Sequence, residues 1–335
     1  MARRSGVTTI AEVAQRAGVS QATVSRVMNG RFLGEESVAE RVRQAAADLD
    51  YQPNHLARSL ALGKTRAIAF VVPDLANPAF QAVLSSLSKT AAKDGYRVLV
   101  ADSAESPSDE PLLAAEVRRR CDALILCAPR MGEAELRQLA VTVRPLVLIN
   151  RMGADVAAPA LSIDYETGAR KLAEHLCDLG HRHLVYLAGP QGSVSNGYRL
   201  RGLDAFAAAA PEVRIDRIPG GVSSDDGIAA AQAVIDSGAT AVIAFNDLVA
   251  IGLLHALEGR GVQVPQDVSV TGFDDIPFAR FSQPALTTVS VPHEELGVQA
   301  WHRMHALIQG EAPDVDVVYQ PQLEVRESTA APRSL

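Results

Sequence analysis

The chain of 335 residues is 47% hydrophobic and 21% charged, which is typical of a globular protein with one large core or two moderate ones beside a small module. Its formal net charge of −7 argues against a general polyanion binder. No stretch reaches the ~18 consecutive apolar residues of a membrane-spanning helix. Cys121, Cys127 and Cys177 lie among apolar neighbours and indicate buried thiols rather than a disulfide framework or a metal cage. We therefore expect a cytoplasmic protein with no membrane partner and no cofactor.

The charge is divided unevenly along the chain. Residues 1–66 contain ten Lys or Arg against six Asp or Glu, a balance of +4, whereas the remainder contains twenty-two against thirty-three, a balance of −11. This asymmetry predicts a small basic module that meets nucleic acid, attached to an acidic body that does not.

The basic module has the pattern of three short helices. The run Thr9 to Glu12 has the capping-box form, so a first helix begins near it, and Gly18 permits the positive backbone angle that ends this helix. Ser20 can cap a second helix over residues 21–28, and a third is predicted from about 35 to 49. Two short helices joined by a Gly-Val-Ser turn form a helix-turn-helix.

The exposed face of the second helix carries side chains that suit DNA. Gln can pair with an adenine edge, Arg can pair with a guanine, Ala can lie against a thymine methyl, and Ser and Thr suit phosphates. Helical hairpins with a glycine turn also occur in proteins that never touch DNA, so it is this face that favours DNA binding. The candidate contacts in the module are Thr9, Ser20, Gln21, Ala22, Thr23, Ser25, Arg26 and Asn29.

Residues 54–66 have the pattern of a linker. Asn54 can cap one short helix that places Leu56 and Leu60 on the same face. About nine residues cannot sustain a helix in water without a partner surface, so we expect this segment to become helical only on binding.

Ten short motifs recur in a known family. They are Thr9 to Ala14, Ala17 to Ser20, Thr23 to Asn29, Tyr51 to Asn54, Ala57 to Leu60, Val72 to Phe80, Leu179 to Arg182, Ala244 to Asp247, Gly272 to Asp275 and Leu286 to Val289. Together they resemble the lactose-repressor (LacI/GalR) family over nearly the full chain. The resemblance implies a homodimer that reads a pseudo-palindromic operator, with Leu60 wedged into the central base step, Ala57 packed beside it and Asn54 and Arg58 as further contacts.

The body of the chain alternates short apolar runs with helical stretches. The runs are Ala67 to Val72, Arg97 to Val100, Ala123 to Ala128, Leu146 to Ile149, Leu184 to Leu187, Ala241 to Phe245 and Val268 to Thr271. Continuous apolar strands between helices are typical of parallel sheets covered on both faces. A break near residues 154–162 divides the series, which predicts an α/β fold with two doubly wound lobes facing each other across a cleft, like periplasmic binding proteins.

These patterns predict three domains. They are a helix-turn-helix domain over 1–53, a hinge helix and linker over 54–66, and a two-lobed effector-binding and dimerisation domain over 67–335. The resemblance implies three crossings between the lobes, so the first lobe covers about 67–160 and 291–318 and the second about 161–290 and 319–335. Residues 328–335 are too few and too polar for a leucine-heptad tail, which predicts a dimer and not a tetramer.

Polar side chains follow several strands, where ligands bind in doubly wound sheets. Carboxylates, amides, a fork-shaped Arg and an aromatic face suit a polyol, so we expect a sugar-like effector. A strand-end Asp or Asn often caps the next helix, and capping is favoured for Asp247, whereas the resemblance implies effector contacts for Arg199 and Asp274. The candidates are Asp74, Asn77, Phe80, Asn150, Arg151, Arg199, Val222, Asn246 and Asp274. Ala79 and Val222 stand where relatives place aromatic rings, so the sequence does not identify the sugar.

Other function classes have less support. The chain has no Gly-x-Ser-x-Gly elbow, no phosphate loop and no Gly-x-Gly-x-x-Gly after its first strand, which argues against an enzyme. His181 and His183 have no further ligands at metal-site spacing. A secreted solute-binding protein would share the two-lobed body but not a basic helix-turn-helix. The sequence therefore predicts a DNA-binding transcription regulator, a repressor, controlled by a small molecule that either lowers or raises its affinity for DNA.

Overall fold

The computed structural model describes residues 8–28, 30–51, 64–152, 156–314 and 316–333. The chain divides into two compact units, Met1–Thr65 and Arg66–Leu335. We describe each unit by itself.

The first unit contains three helices, α1 (Ile10–Ala17), α2 (Gln21–Met28) and α3 (Glu36–Asp48). At the start of α1 the Glu12 carboxylate accepts the backbone amide of Thr9 at 2.7 Å, and the helix ends at Gly18, whose φ is 67°. The Ser20 hydroxyl accepts the amide of Thr23 at 3.1 Å and caps α2.

The three helices enclose a small core of aliphatic side chains. Its buried members are Val13, Ala14, Ala17, Val24, Val27, Ala39, Val42, Ala45 and Ala46. Because these residues recur at helical spacing, one stripe of each helix is apolar and the opposite face stays in solvent.

The second unit begins with a six-stranded parallel sheet. Its strands are β1 (Ala67–Val72), β2 (Arg97–Asp102), β3 (Ala123–Cys127), β4 (Leu146–Ile149), β5 (Ala160–Ile163) and β11 (Val317–Tyr319), in the order β11-β5-β4-β3-β1-β2. The helices of this first lobe are α4 (Pro78–Lys93), α5 (Glu110–Arg118), α6 (Glu133–Thr142) and α11 (His293–Gln309). Ile68 and Phe70 pack with Leu87 and Trp301 on one face of β1, while Val71 packs with the opposite layer, so the sheet is buried on both sides.

A four-stranded parallel sheet forms the second lobe. Its strands are β6 (His183–Ala188), β7 (Arg214–Pro219), β8 (Ala241–Ala244) and β9 (Ser269–Thr271), in the order β7-β6-β8-β9. Its helices are α7 (Tyr165–Asp178), α8 (Val194–Ala209), α9 (Ser224–Ser237) and α10 (Asp247–Glu258), with a 3₁₀ turn at Pro277–Arg280. A separate antiparallel pair consists of β10 (Thr288–Ser290) and β12 (Gln322–Glu324).

The chain passes between the two lobes at three adjacent places: after β5, between β10 and α11, and between β11 and β12. The first and third crossings are hydrogen-bonded, because the amide of Asp164 donates to the carbonyl of Tyr319 at 2.9 Å and the Gln320 amide donates to the Asp164 carboxylate at 3.2 Å. The crossings therefore lie together at one edge of the cleft.

The lobe boundaries differ from those predicted. Residues 160–163 were assigned to the break and to the start of the second lobe, but β5 pairs with β4 and belongs to the first sheet. Tyr319 was placed in the second lobe, yet it ends β11, which pairs with β5. Both strands have four residues or fewer and show too little pattern to be recognised.

Within the described parts of the chain, no helix has both the length and the apolar character that crossing a membrane requires.

Candidate functional site

The exposed face of α2 contains most of the candidate DNA contacts. Gln21, Ala22, Ser25 and Arg26 are exposed, and Thr23 is half-buried. Val24 and Val27 point into the core on the other face. The candidates therefore share one surface, as a helix that reads base edges requires.

Two candidates in the first unit also have local structural roles. The Thr9 hydroxyl donates to Glu12 at 3.0 Å, and Ser20 caps α2, although both residues are exposed. Arg26 donates from Nε to the carbonyl of Ala22 at 3.3 Å, which leaves its two terminal nitrogens at the surface. The remaining candidates lie outside the described residues; they are Asn29, Asn54, Ala57, Arg58 and Leu60.

Strands of both sheets end at one cleft between the lobes. The space between the walls of the cleft is about 540 Å³ when its open mouth is included. Eight of the nine effector candidates line it: Asp74, Asn77, Phe80, Asn150, Arg199, Val222, Asn246 and Asp274.

Arg199 on α8 has the most unusual environment in the cleft. Its side chain is only 3% exposed, and its guanidinium carbon lies 4.5, 4.6 and 4.0 Å from the ring centres of Tyr165, Phe245 and Phe273. The nearest carboxylate oxygen, on Asp274, is 3.9 Å from Nη2, and neither Nε nor Nη1 has a hydrogen-bond partner among the described residues. Buried N–H groups without partners cost free energy, so Arg199 has unused donor capacity on two nitrogens at the cleft.

Asp274 is held at the cleft by a strained backbone. Its φ of 109° is rare for a residue other than glycine. The conformation is fixed because its amide donates to the carbonyl of Val289 at 2.9 Å and its own carbonyl accepts from the His293 ring at 3.0 Å. Burial raises the pKa of the Asp274 carboxyl, while His293 and Arg199 oppose that increase.

The first lobe contributes amides and a further carboxylate. Asn77 caps α4 by accepting the amide of Ala79 at 2.9 Å, so one of the two acceptor positions of its oxygen is occupied. Asn150, in contrast, has a φ of 57° and a buried Oδ1 with no partner in the described structure. Asp74 accepts a backbone amide at 2.8 Å, and burial raises its pKa. Among the described residues of the cleft, the Asn150 oxygen is therefore a buried acceptor with unused capacity.

Asn246, and not Asp247, caps the helix that follows β8. Asn246 is the cap of α10, accepting a first-turn amide at 2.9 Å and donating to the carbonyl of Val222 at 2.9 Å. Asp247 is fully buried and accepts the Thr288 hydroxyl at 2.5 Å and the amide of Ile276 at 2.8 Å. Burial raises its pKa well above the ordinary value, with neighbouring Asp274 adding to the effect. The prediction that Asp247 caps the helix is wrong, although Asn246 still lines the cleft.

Arg151 is the candidate that the fold does not bring into the cleft. It is 7% exposed and donates from Nη2 to the carbonyl of Met131 at 3.1 Å and from Nη1 to that of Pro129 at 3.5 Å. Arg151 therefore fastens the segment after β3 to the end of β4, and its expected contact with an effector is not supported.

Several residues of the cleft were missed by the sequence argument. They are Val83, Glu105, Ala128, Arg130, Tyr165, Ser195, Phe245 and His293, whereas Ala79, which also lines the cleft, was noted from the resemblance. Glu105 and Arg130 follow β2 and β3 by three residues each, so the strand-end rule applied to those strands points to them. Val83 and Ser195 lie within helices, where no such rule applies.

Comparison with known proteins gives a consistent result for both units. Residues 9–54 match the profile of bacterial regulatory proteins of the lacI family, and residues 173–329 match a periplasmic binding protein-like domain. The transcriptional regulator GalS of Salmonella typhimurium is 33% identical over 96% of this chain and 96% of its own, and GalR of Escherichia coli is 32% identical over 97% and 96%. Catabolite control protein A of Priestia megaterium is 29% identical over 96% and 99%.

Solved structures match over the whole length as well. The lac repressor dimer bound to operator and the anti-inducer ONPF has a TM-score of 0.84 and 26% identity, covering 97% of this chain and 100% of that one. The regulator CelR in complex with cellobiose has a TM-score of 0.70 and 28% identity, covering 96% and 99%. The chain belongs to the LacI family of bacterial transcriptional regulators.

Proposed function

We propose that this regulator represses transcription from a pseudo-palindromic operator and that a neutral sugar, bound in the cleft, sets its affinity for DNA. The observation that carries the effector half of the proposal is the buried Arg199 guanidinium, with two nitrogens that lack partners among the described residues. Its relatives are transcriptional regulators rather than enzymes, and we assign the cleft a binding role without catalysis.

The polar groups of the cleft suit hydroxyl groups in particular. Arg199 can only donate hydrogen bonds, whereas the oxygens of Asp274 and Asn150 accept them. A hydroxyl group does both, so adjacent hydroxyls on a sugar can accept from Arg199 and donate to Asp274 while another donates to Asn150. The half-buried ring of Phe80 supplies an apolar wall for the face of the sugar ring.

The DNA half of the proposal rests on α2. We assign base contacts to Gln21, Ala22 and Arg26 and phosphate contacts to the hydroxyl residues beside them. By analogy with the lac repressor dimer on its operator, two copies bind two half-sites, and residues 54–66 act as the hinge between the domains over 1–53 and 67–335. Such a protein works in the cytoplasm, where its operator is.

The crossings give the sugar a way to act on DNA binding. A ligand that contacts Asn150 in one lobe and Arg199 in the other favours one relative arrangement of the two lobes. Because a ligand shifts a conformational equilibrium by its difference in affinity for the two states, DNA affinity changes by the same coupling free energy.

The test begins with DNA. Fragments of the host genome are selected on the purified full chain and sequenced, and we expect a pseudo-palindromic consensus. Fluorescence anisotropy on that consensus is then measured with D-galactose, D-ribose and cellobiose at millimolar concentration, and at least one should shift the operator dissociation constant. Absence of a consensus, or an Arg199→Ala variant that still responds like the wild type, would contradict the proposal.

A further inference from the structure

The loop after β2 presents a carboxylate to the cleft in a strained conformation. Ala104 and Glu105 both have left-handed backbones, with φ of 51° and 57°, although neither is glycine. The loop is held there because the amide of Ala104 donates to Asp102 at 2.7 Å and the amide of Glu105 donates to the carbonyl of Pro73 at 2.7 Å. Residues with such backbones cluster at ligand sites and switch regions.

A buried arginine clamps this carboxylate. Arg130 donates from Nε and Nη2 to the two oxygens of Glu105, at 2.5 and 2.8 Å, and from Nη1 to the carbonyl of Ala128 at 3.0 Å. The Arg130 side chain is 4% exposed and that of Glu105 is 21% exposed. All three guanidinium nitrogens of Arg130 have protein partners, whereas two of those of Arg199 have none among the described residues. Arg130 therefore holds the Glu105 carboxylate in place.

The clamp is itself held rigidly. The buried carboxylate of Glu110 accepts the amides of Arg130 and Met131, each at 2.8 Å, and Arg151 holds the carbonyl of Met131 from the other side. Each oxygen of Glu105 accepts one hydrogen bond from Arg130. Each can therefore accept another from a hydroxyl group in the cleft.

We propose that Glu105, positioned by Arg130, determines effector specificity from the first lobe by accepting hydroxyl groups and by excluding anionic sugars. The inference rests on the proposed function, because it names the class of sugar that the cleft selects: unphosphorylated and without a carboxylate. Glu105 is the ligand contact, and Arg130 is a positioning residue.

The charges of the cleft support this selectivity. Three carboxylates line it, on Asp74, Glu105 and Asp274, against two guanidinium groups, on Arg130 and Arg199. Each guanidinium already lies near a carboxylate, at 2.5 Å for Glu105 and at 3.9 Å for Asp274. A phosphate or carboxylate on the ligand would therefore enter an acidic site, and desolvation in a narrow cleft strengthens the repulsion.

The experiment compares matched sugars on the full chain. Melting temperatures are measured with D-galactose, D-galactose 6-phosphate and D-galacturonate, with the same three forms of D-glucose, and with D-ribose and D-ribose 5-phosphate. Dissociation constants of all sugars that raise the melting temperature follow by calorimetry. We expect the neutral member of a set to bind at least tenfold more tightly than its anionic forms.

Three variants distinguish a change in sugar specificity from a general loss of folding or binding. Glu105→Gln removes the charge and should weaken the neutral sugar about tenfold and reduce its preference over the phosphate. Glu105→Asp keeps the charge but shortens the side chain by one methylene. The affinity for the neutral sugar should fall, while the preference for the neutral sugar over the phosphate should remain. This variant also tests the proposal if Glu105→Gln folds poorly. Asp109→Asn removes a charge from the same loop outside the cleft and should change neither property.

The outcomes are distinguishable. The inference is wrong if a phosphorylated or acidic sugar binds the wild type as tightly as its neutral form does. It is also wrong if Glu105→Gln changes neither the affinity nor the preference for the neutral sugar. Both results leave the proposed effector-binding cleft intact. If no sugar in any set binds, both the inference and the proposed sugar effector are wrong.

Discussion

The two units expose their recognition residues in opposite ways. In the first unit, Gln21, Ala22 and Arg26 lie on the outer face of a helix and are exposed before any DNA arrives. In the second, Arg199 and Asp274 are at most 12% exposed along their side chains and lie among aromatic rings and backbone turns. In the proposed function, DNA meets the first site at the protein surface, whereas a small molecule must enter the cleft to reach the second. Substitutions should therefore separate binding from stability in the first unit and couple them in parts of the second.

The largest effect is expected at Arg199. Arg199→Met should weaken binding of the sugar found in the calorimetric screen at least 100-fold, about 3 kcal/mol, because several charge-assisted hydrogen bonds are lost together. Operator affinity without sugar should remain that of the wild type. The matched control is Arg201→Met on the same helix, whose guanidinium is exposed and lies 4.2 Å from the Tyr198 ring. Sugar binding by Arg199→Met within threefold of the wild type would show that the cleft is misassigned.

For Arg151 we expect a loss of stability without a loss of sugar binding, the opposite of the result expected for Arg199. Arg151→Met should lower the free energy of unfolding by about 2 kcal/mol, because it leaves two buried carbonyls without their charged donor. Sugar affinity should change less than threefold, since Arg151 does not line the cleft. Urea unfolding followed by circular dichroism measures the first effect and calorimetry the second. A variant of normal stability that has lost sugar binding would restore the effector role predicted from the sequence.

These two arginines show how far sequence reasoning reaches into the effector site. Arg151 follows the strand-end pattern, since it comes two residues after β4, whereas Arg199 lies within α8 and was predicted from the family resemblance. The pattern locates the backbone but not the direction of the side chain. Arg151 turns towards the carbonyls of Pro129 and Met131, which come from a different strand end. Such contacts depend on packing between distant segments, and no local signal in the sequence reports them.

The fold itself was largely predictable where elements are regular. The strands β1, β3 and β4 are buried apolar runs of four to six residues and were found nearly to the residue. The strand β7 was missed because it lies at the edge of its sheet and reads Arg-Ile-Asp-Arg-Ile-Pro, with charges facing solvent. The three helices of the first unit were predicted best, since capping residues and Gly18 mark their ends locally.

Arg26 tests whether a substitution in the exposed site of the first unit changes DNA binding without changing stability. Arg26→Ala should weaken operator binding by about 1.5 kcal/mol and relax the preference at one position of each half-site, because Arg reads a guanine edge through paired hydrogen bonds. The melting temperature should not change, since the side chain is exposed and its hydrogen bond in the described structure is to the Ala22 carbonyl of its own helix. Anisotropy with a set of single-base operator variants measures the preference. Arg41→Ala on α3 controls for the loss of one exposed positive charge. An equal loss on every operator variant would instead identify Arg26 as a phosphate contact.

The smallest effect concerns pH and involves His181, which does not line the cleft. His181 is 1% exposed, and its ring donates from Nε2 to the carbonyl of Ala330 at 2.9 Å and contacts the Thr240 hydroxyl through Nδ1 at 2.8 Å. Burial lowers the pKa of His181, nearby His175 lowers it further, and the bond to Ala330 opposes the decrease. The folded protein therefore keeps this imidazole neutral at a pH where the unfolded chain already binds a proton.

The sign of the pH effect follows from that difference in proton binding. Above the ordinary histidine pKa of 6.5, both states are neutral and His181 has no effect on the pH dependence. As the pH falls below 6.5, protonation favours the unfolded chain, so urea unfolding should show stability decreasing from pH 7 towards pH 5. His181→Gln should flatten this dependence in part, because the pKa of His175 is also lowered by burial. A slope that is the same in His181→Gln as in the wild type would place the titrating group elsewhere.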